Sequence, residues 1–192
     1  MIKSSKFKGS TNKGAWVLLA WINLLSLDVV AGALLSGAFA AHRMEVNPGW
    51  AYWTALGLSV WIFYTLDHLV DAIRLKENAH TRRHLFTFRN IHPLTAVLGV
   101  MALLDGYLVL HFLDREVFFF GLTAGAGALT YFLVLHYGRG RQSTVVQKEA
   151  TVALIYSAGI WGIPVLYSES SIAFDSLLII ACFFLLALMN TL

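Results

Sequence analysis

The sequence predicts an all-α fold, a polytopic transmembrane bundle of about six spanning helices, and three observations lead to it. Apolar stretches near residues 15–41, 50–71, 93–113, 116–137, 149–167 and 171–192 are each long enough to cross a hydrocarbon core, which takes roughly 20 apolar residues per helix. Charged residues make up 13% of the chain and the mean hydropathy is +0.67, whereas a soluble domain carries about 25% charged residues. The basic side chains alternate between the connections in the manner of the positive-inside rule.

That alternation fixes the expected orientation. Lys3, Lys6, Lys8 and Lys13 precede the first stretch. Arg74, Lys76, Arg82, Arg83 and Arg89 lie between the second and third, and Arg139, Arg141 and Lys148 between the fourth and fifth. Only Arg43 and Arg115 fall in the opposite connections, twelve against two of the 14 Lys and Arg residues. The N-terminus is therefore expected on the cytoplasmic side of a cell (inner) membrane. The net charge of +3 is accounted for by this distribution, so it is read as facing anionic lipid or an anionic substrate, with no nucleic acid as partner.

Residues 1–14 form a polar cytoplasmic tail, and residues 15–192 a single helical domain with no linker of domain-boundary length. The first stretch is too long, and too polar at Asn23 and Asp28, for a signal peptide; it is expected to be one retained span. Outer connections are short: 42–49 with Asn47-Pro48-Gly49, then Asp114-Arg115, then 168–170. Of the longer cytoplasmic ones, 72–92 is expected to be partly helical over the cytoplasmic mouth. There Leu85, Phe86 and Phe88 alternate with Arg83, His84 and Arg89. Small residues (Gly32, Ala33, Ser36 and Gly37; Gly121, Ala124, Gly125 and Gly127; Gly159 and Gly162) are expected to permit close helix approach. The final stretch stops inside an apolar run without a basic anchor, which suggests a C-terminally truncated piece of a longer protein.

The stretch most informative about chemistry is Tyr64-Thr65-Leu66-Asp67-His68-Leu69-Val70-Asp71-Ala72-Ile73-Arg74, at the cytoplasmic end of the second span. On a helix, Tyr64, Asp67, Asp71, Arg74 and Asn78 fall within roughly 80° of one another. Two carboxylates one turn apart repel, most strongly near the low-dielectric membrane edge, and so call for a cation or basic neighbours. A divalent metal with hard oxygen ligands suits them, as Mg²⁺ typically shares one or two carboxylates with substrate phosphates. Arg74, Lys76, Arg82 and Arg83 are suited to gripping a diphosphate. The competing reading is an acid pair at a helix end, neutralised by those arginines and purely structural.

Other ionisable residues carry weaker expectations. Asp28 and Asp105 lie within spans, where a carboxyl group is costly and is either functional or hydrogen-bonded between helices. His80 and His84 stand one turn apart, a single pair where a His-box hydroxylase needs several. The one cysteine, Cys182, excludes a disulfide framework or a cysteine metal site. Tryptophans and tyrosines chiefly mark the interfaces, although Trp61 and Tyr64 are placed to line a tunnel.

Asp67-x-x-x-Asp71 followed by a basic loop resembles the first aspartate-rich motif of the UbiA-type intramembrane aromatic prenyltransferases. That family writes N-D-x-x-D-x-x-x-D; Asp67 and Asp71 match the last two acids, while Phe63 and Tyr64 stand at the Asn and first Asp positions. Thr81-Arg82-Arg83-His84 is similar to the T-x-x-R-P segment that follows. Asn23 and Gly32 fall where the family often carries a polar residue and a glycine, and Lys148-Glu149 to Gly159 and Pro164 is also similar.

The resemblance implies a partial nine-helix bundle, with a second aspartate motif after helix six of which Asn190 would be the start. It implies Asp67 and Asp71 as catalytic metal ligands for Mg²⁺, and Arg74, Lys76, Arg82 and Arg83 as the diphosphate-binding set. Asn23, Asp28, Trp61 and Tyr64 would form the substrate pocket. The activity implied is transfer of a prenyl group from an isoprenoid diphosphate to a lipophilic or aromatic acceptor, with membrane lipid as the surroundings. The alternatives are a non-catalytic multi-span subunit or transporter fragment, and a haem- or metal-carrying membrane redox protein.

Overall fold

A computed structural model describes residues 13–75, 82–137, 145–168 and 173–191, excluding the side chains of residues 13, 15, 74, 75, 82–84, 132–137, 145–149, 190 and 191. Among the described residues there are eight helices and no strand: α1 (Lys13–Leu24), α2 (Leu27–Arg43), α3 (Gly49–Leu75), α4 (Arg82–Arg89), α5 (Ile91–Phe112), α6 (Arg115–Tyr137), α7 (Val145–Tyr167) and α8 (Phe174–Thr191). Three segments, Gly49–Ile73, Ile91–Phe112 and Ala150–Tyr167, are long and apolar enough to cross a membrane; α1 with α2 makes a fourth if that bent pair is one span. Phe174–Met189 is a shorter apolar helix.

The expected first span, 15–41, is not one straight rod. It breaks at Leu25-Ser26, and α1 and the following helix meet at 77°. Ser26 is buried and adopts a left-handed backbone, φ 56°, which ends one helix and starts the next. A break in a lipid-embedded helix frees backbone groups that need partners. The indole Nε1 of Trp61 supplies one by donating to the Leu25 carbonyl at 3.0 Å, and Asn23 Nδ2 donates to Asp28 Oδ2 across the elbow, also at 3.0 Å. Asp28 thereby falls in the first turn of α2, where the helix dipole favours a carboxylate.

The second expected span, 50–71, extends to Leu75, so α3 is about 40 Å long at 1.5 Å per residue and carries Arg74 on its last turn. The 72–92 connection contains α4, as its alternating pattern predicts. Helix α4 packs on α3 and α1, with Phe86 edge-on to Trp21 at 5.7 Å. Asn90 links it to α5 by donating its side-chain amide to the Phe86 carbonyl at 2.8 Å. Pro93 sits in the first turn of α5, where its missing N–H costs the helix nothing.

Helices α2, α3, α5, α6, α7 and α8 have their opposite ends tied together. Arg43 forms an ion pair with Asp175, joining the end of α2 to the start of α8. The Tyr167 hydroxyl donates to Asp114 Oδ2 at 2.7 Å, joining α7 to the α5–α6 turn. Trp50 stacks obliquely on Phe112 at 5.3 Å. The turn into α3 uses Gly49 at φ 80°, a conformation that L side chains resist.

The core is built from small residues on α2 against large ones on α7. Ala33, Ala40 and Met44 pack on Ile160 and Trp161, with Phe183 of α8 behind them. Gly37 lets α2 reach α3: a Cβ there would lie 3.0 Å from Leu56 and 3.2 Å from Trp53. Helix α5 buries no side chain, and Leu103, Leu110, Leu186 and Met189 are among many exposed large apolar residues. Such a surface is untenable in water and ordinary in a bilayer. This surface and the helix lengths are consistent with a membrane protein.

Candidate functional site: an apolar slot beneath two carboxylates

Between α3, α6 and α7, with α5 at one flank, lies an apolar cavity of about 240 Å³. Its walls run from Tyr52 to Tyr64 on α3, from Val117 to Ala128 on α6 and from Val152 to Ile163 on α7. At 1.5 Å per residue these runs correspond to a slot about 16–18 Å long, parallel to the helices. Tyr52, Val117 and Ile163 pack together at its Arg43 end, with Leu113 and Phe120 against them.

The glycines explain why the slot stays open. Added Cβ atoms at Gly121, Gly125 and Gly159 would meet no atom within 4 Å, and all three residues line the cavity. They were expected to permit close helix approach, but their missing side chains leave room instead. Gly162 does act as expected, since a Cβ there would collide with the Phe120 ring that lies over it.

The slot-facing stripe of α3 continues in register into the acidic motif. Leu56, Val60, Phe63 and Tyr64 line the cavity. On an ideal helix Arg74 shares the azimuth of Leu56, Asp67 lies within roughly 20° of Val60, and Asp71 falls between Val60 and Tyr64. Asp67 is only about 4.5 Å further along the axis than Tyr64. Thr65, Leu69 and Ala72 form the buried face at this end of α3, and Asp67 and Asp71 are half-buried on the other side of the helix. One turn of helix thus separates Asp67 from the slot wall, and about two turns separate Asp71 from it.

The expected site residues divide. Tyr64 lines the slot. Trp61 instead braces the α1–α2 break, and Asn23 and Asp28 are exposed at that elbow, bonded to each other. Lys76 and His80 lie outside the described residues, as do the side chains of Arg74, Arg82, Arg83 and His84. By backbone alone, Arg74 is on α3, and Arg82 and Arg83 open α4, which packs against α3. Among the described residues no three His, Cys, Asp or Glu side chains cluster as a metal site. Mg²⁺ commonly takes one or two carboxylates and fills its remaining positions with water and phosphate.

A second polar feature emerges only in three dimensions. Ser59, on the slot wall, donates its hydroxyl to Asp105 Oδ2 of α5 at 2.7 Å, and Asp105 Oδ1 is buried without a partner among the described residues. The sequence marks Asp105 as an intramembrane acid, but Ser59 is 46 positions away and nothing local pairs them. Tyr52 is also missed by sequence reasoning: it lines the slot, is 4% exposed, and its hydroxyl has no partner among the described residues.

No family model matches this chain, and no curated protein or solved structure matches it either.

Proposed function

We propose that the chain is a UbiA-like intramembrane prenyltransferase, transferring a prenyl group from an isoprenoid diphosphate to a lipophilic or aromatic acceptor. The observation that carries this reading is the register of α3: one stripe lines an apolar slot and then, over the next two turns, presents Asp67 and Asp71. An elongated hydrocarbon chain suits the slot, and a charged head suits the acidic and basic residues beyond it. In this reading the bundle has six spans, the first bent, with N-terminus and acidic motif facing the cytoplasm of the inner membrane.

Asp67 and Asp71 would hold Mg²⁺, which when bound supplies positive charge against the diphosphate oxygens. Arg74, Lys76, Arg82 and Arg83 would take the remaining phosphate charge, their guanidinium forks and ammonium group donating to oxygens that no longer bridge to carbon. This favours breaking the allylic C–O bond, with the electron pair leaving on diphosphate. The slot around Phe63 and Tyr64 keeps water from the allylic carbon, which then bonds to the acceptor as the acceptor gives up a proton. Stabilising the charge on the leaving group is the largest contribution expected from the protein.

The test is release of inorganic diphosphate from a radiolabelled prenyl diphosphate by the protein expressed from its complete gene, with and without Mg²⁺. Metal-dependent release with label appearing in a lipid product supports the proposal. A chain that neither binds nor consumes prenyl diphosphate is a non-catalytic membrane subunit.

A further inference from the structure

The hydroxyl of Tyr52 is an unusual thing to find in the wall of an apolar slot. Tyr52 is 4% exposed and its oxygen has no partner among the described residues, and a buried polar group left without a hydrogen bond is destabilising. A phenylalanine would fill the same volume without that cost. Ser59, two turns further along α3 and within roughly 20° of the same azimuth, also lines the slot with a hydroxyl. Its proton is committed to Asp105, so towards the slot it offers an acceptor oxygen. Buried polar groups of this kind are normally satisfied, and a ligand's oxygen satisfies them as well as a protein group does.

We infer that the slot recognises an elongated neutral lipid bearing a hydroxyl or carbonyl oxygen, which takes the hydrogen bond of Tyr52 at the slot's outer end. A ligand carrying a second hydroxyl about 10 Å from the first has Ser59 as its partner midway along the wall. Two further tyrosines, Tyr64 and Tyr156, line the slot, while Ala55, Gly121 and Ile155 are among the residues that contribute no polar side chain and hold the hydrocarbon portion by contact alone. This inference rests on the slot's walls and is independent of prenyl transfer: it concerns the end of the slot remote from Asp67.

The test uses the full chain in nanodiscs and two tritiated probes, farnesol and its deoxygenated hydrocarbon counterpart. Farnesol should be retained about tenfold more tightly, the effect of one hydrogen bond to a group otherwise buried unpaired. Tyr52→Phe should abolish that preference by weakening farnesol alone, and should raise Tm in the absence of probe. Ser59→Ala should leave the preference in place, because Ser59 lies about 10 Å from Tyr52 and out of reach of the same hydroxyl. Removing Mg²⁺ with a chelator should leave both probes unaffected, which separates this site from the proposed diphosphate site. Because an unfolded variant would lose both probes together, the ratio of the two remains diagnostic. Equal retention of the two probes by the unaltered chain, retention of neither, or an unchanged ratio in Tyr52→Phe would overturn the inference.

Discussion

The indole of Trp61 donates to the carbonyl of Leu25 across 3.0 Å, fastening α3 to the point where α1 and α2 part at 77°. That carbonyl is freed by the helix break, and the indole supplies the hydrogen bond that the helix no longer gives it. Trp61→Phe keeps most of the packing and removes the donor. It is expected to cost about 1–3 kcal/mol, the penalty for leaving a buried acceptor unpaired, read as a lower Tm in detergent. An unchanged melt would mean that the carbonyl finds another partner and that Trp61 does not brace the elbow.

Phe120 and Gly162 form the tightest approach between α6 and α7, since any Cβ at Gly162 would collide with the ring. Gly162→Ala should therefore destabilise the bundle by about 1–3 kcal/mol, as overpacking does. Combining it with Phe120→Leu should cost less than the sum of the two single changes, because the clash is then relieved. Additive losses in thermal unfolding would contradict the packing described.

Gly125 is the contrasting case, because an added Cβ meets nothing. Gly125→Ala should stabilise α6 slightly, by about 0.5–1 kcal/mol from the glycine's entropy alone. Gly125→Leu should fold and yet lose farnesol binding, because its side chain enters the slot. Full binding by the leucine variant would show that the slot is not where the ligand sits.

The twelve-to-two distribution of basic residues predicts that a reporter fused after residue 44 reads extracytoplasmic and one fused after residue 80 reads cytoplasmic. The opposite pattern would put Asp67 and Asp71 on the wrong side for a cytosolic diphosphate.

What was legible in the sequence depended on how local the signal was. Apolar length disclosed the helical membrane fold, and the alternation of Phe86 and Phe88 with arginines disclosed α4, because both are periodicities within one segment. The α1–α2 break was not legible. The stretch around Ser26 is uniformly apolar apart from Asn23 and Asp28, and the left-handed serine depends on an indole from α3 to satisfy the freed carbonyl. Glycine spacing was ambiguous for a similar reason: Gly162 and Gly125 look alike in sequence, and only the Phe120 ring over one and open space over the other separates them. The acidic motif was found by its one-turn spacing, whereas Tyr52 and the Ser59–Asp105 bond depend on helices that meet through the fold.

The central claim is that the slot ends at a functional pair of carboxylates, and the most direct measurement is Mg²⁺-dependent prenyl diphosphate consumption by Asp67→Asn and Asp71→Asn beside the unaltered protein. Each change removes one metal ligand while keeping the side chain's size. Turnover should fall by about 10²–10³, the loss typical when one charge-stabilising group is removed, with Tm little changed. A lower Tm with turnover nearly unchanged would contradict it, because the carboxylates would then serve only to neutralise the neighbouring arginines.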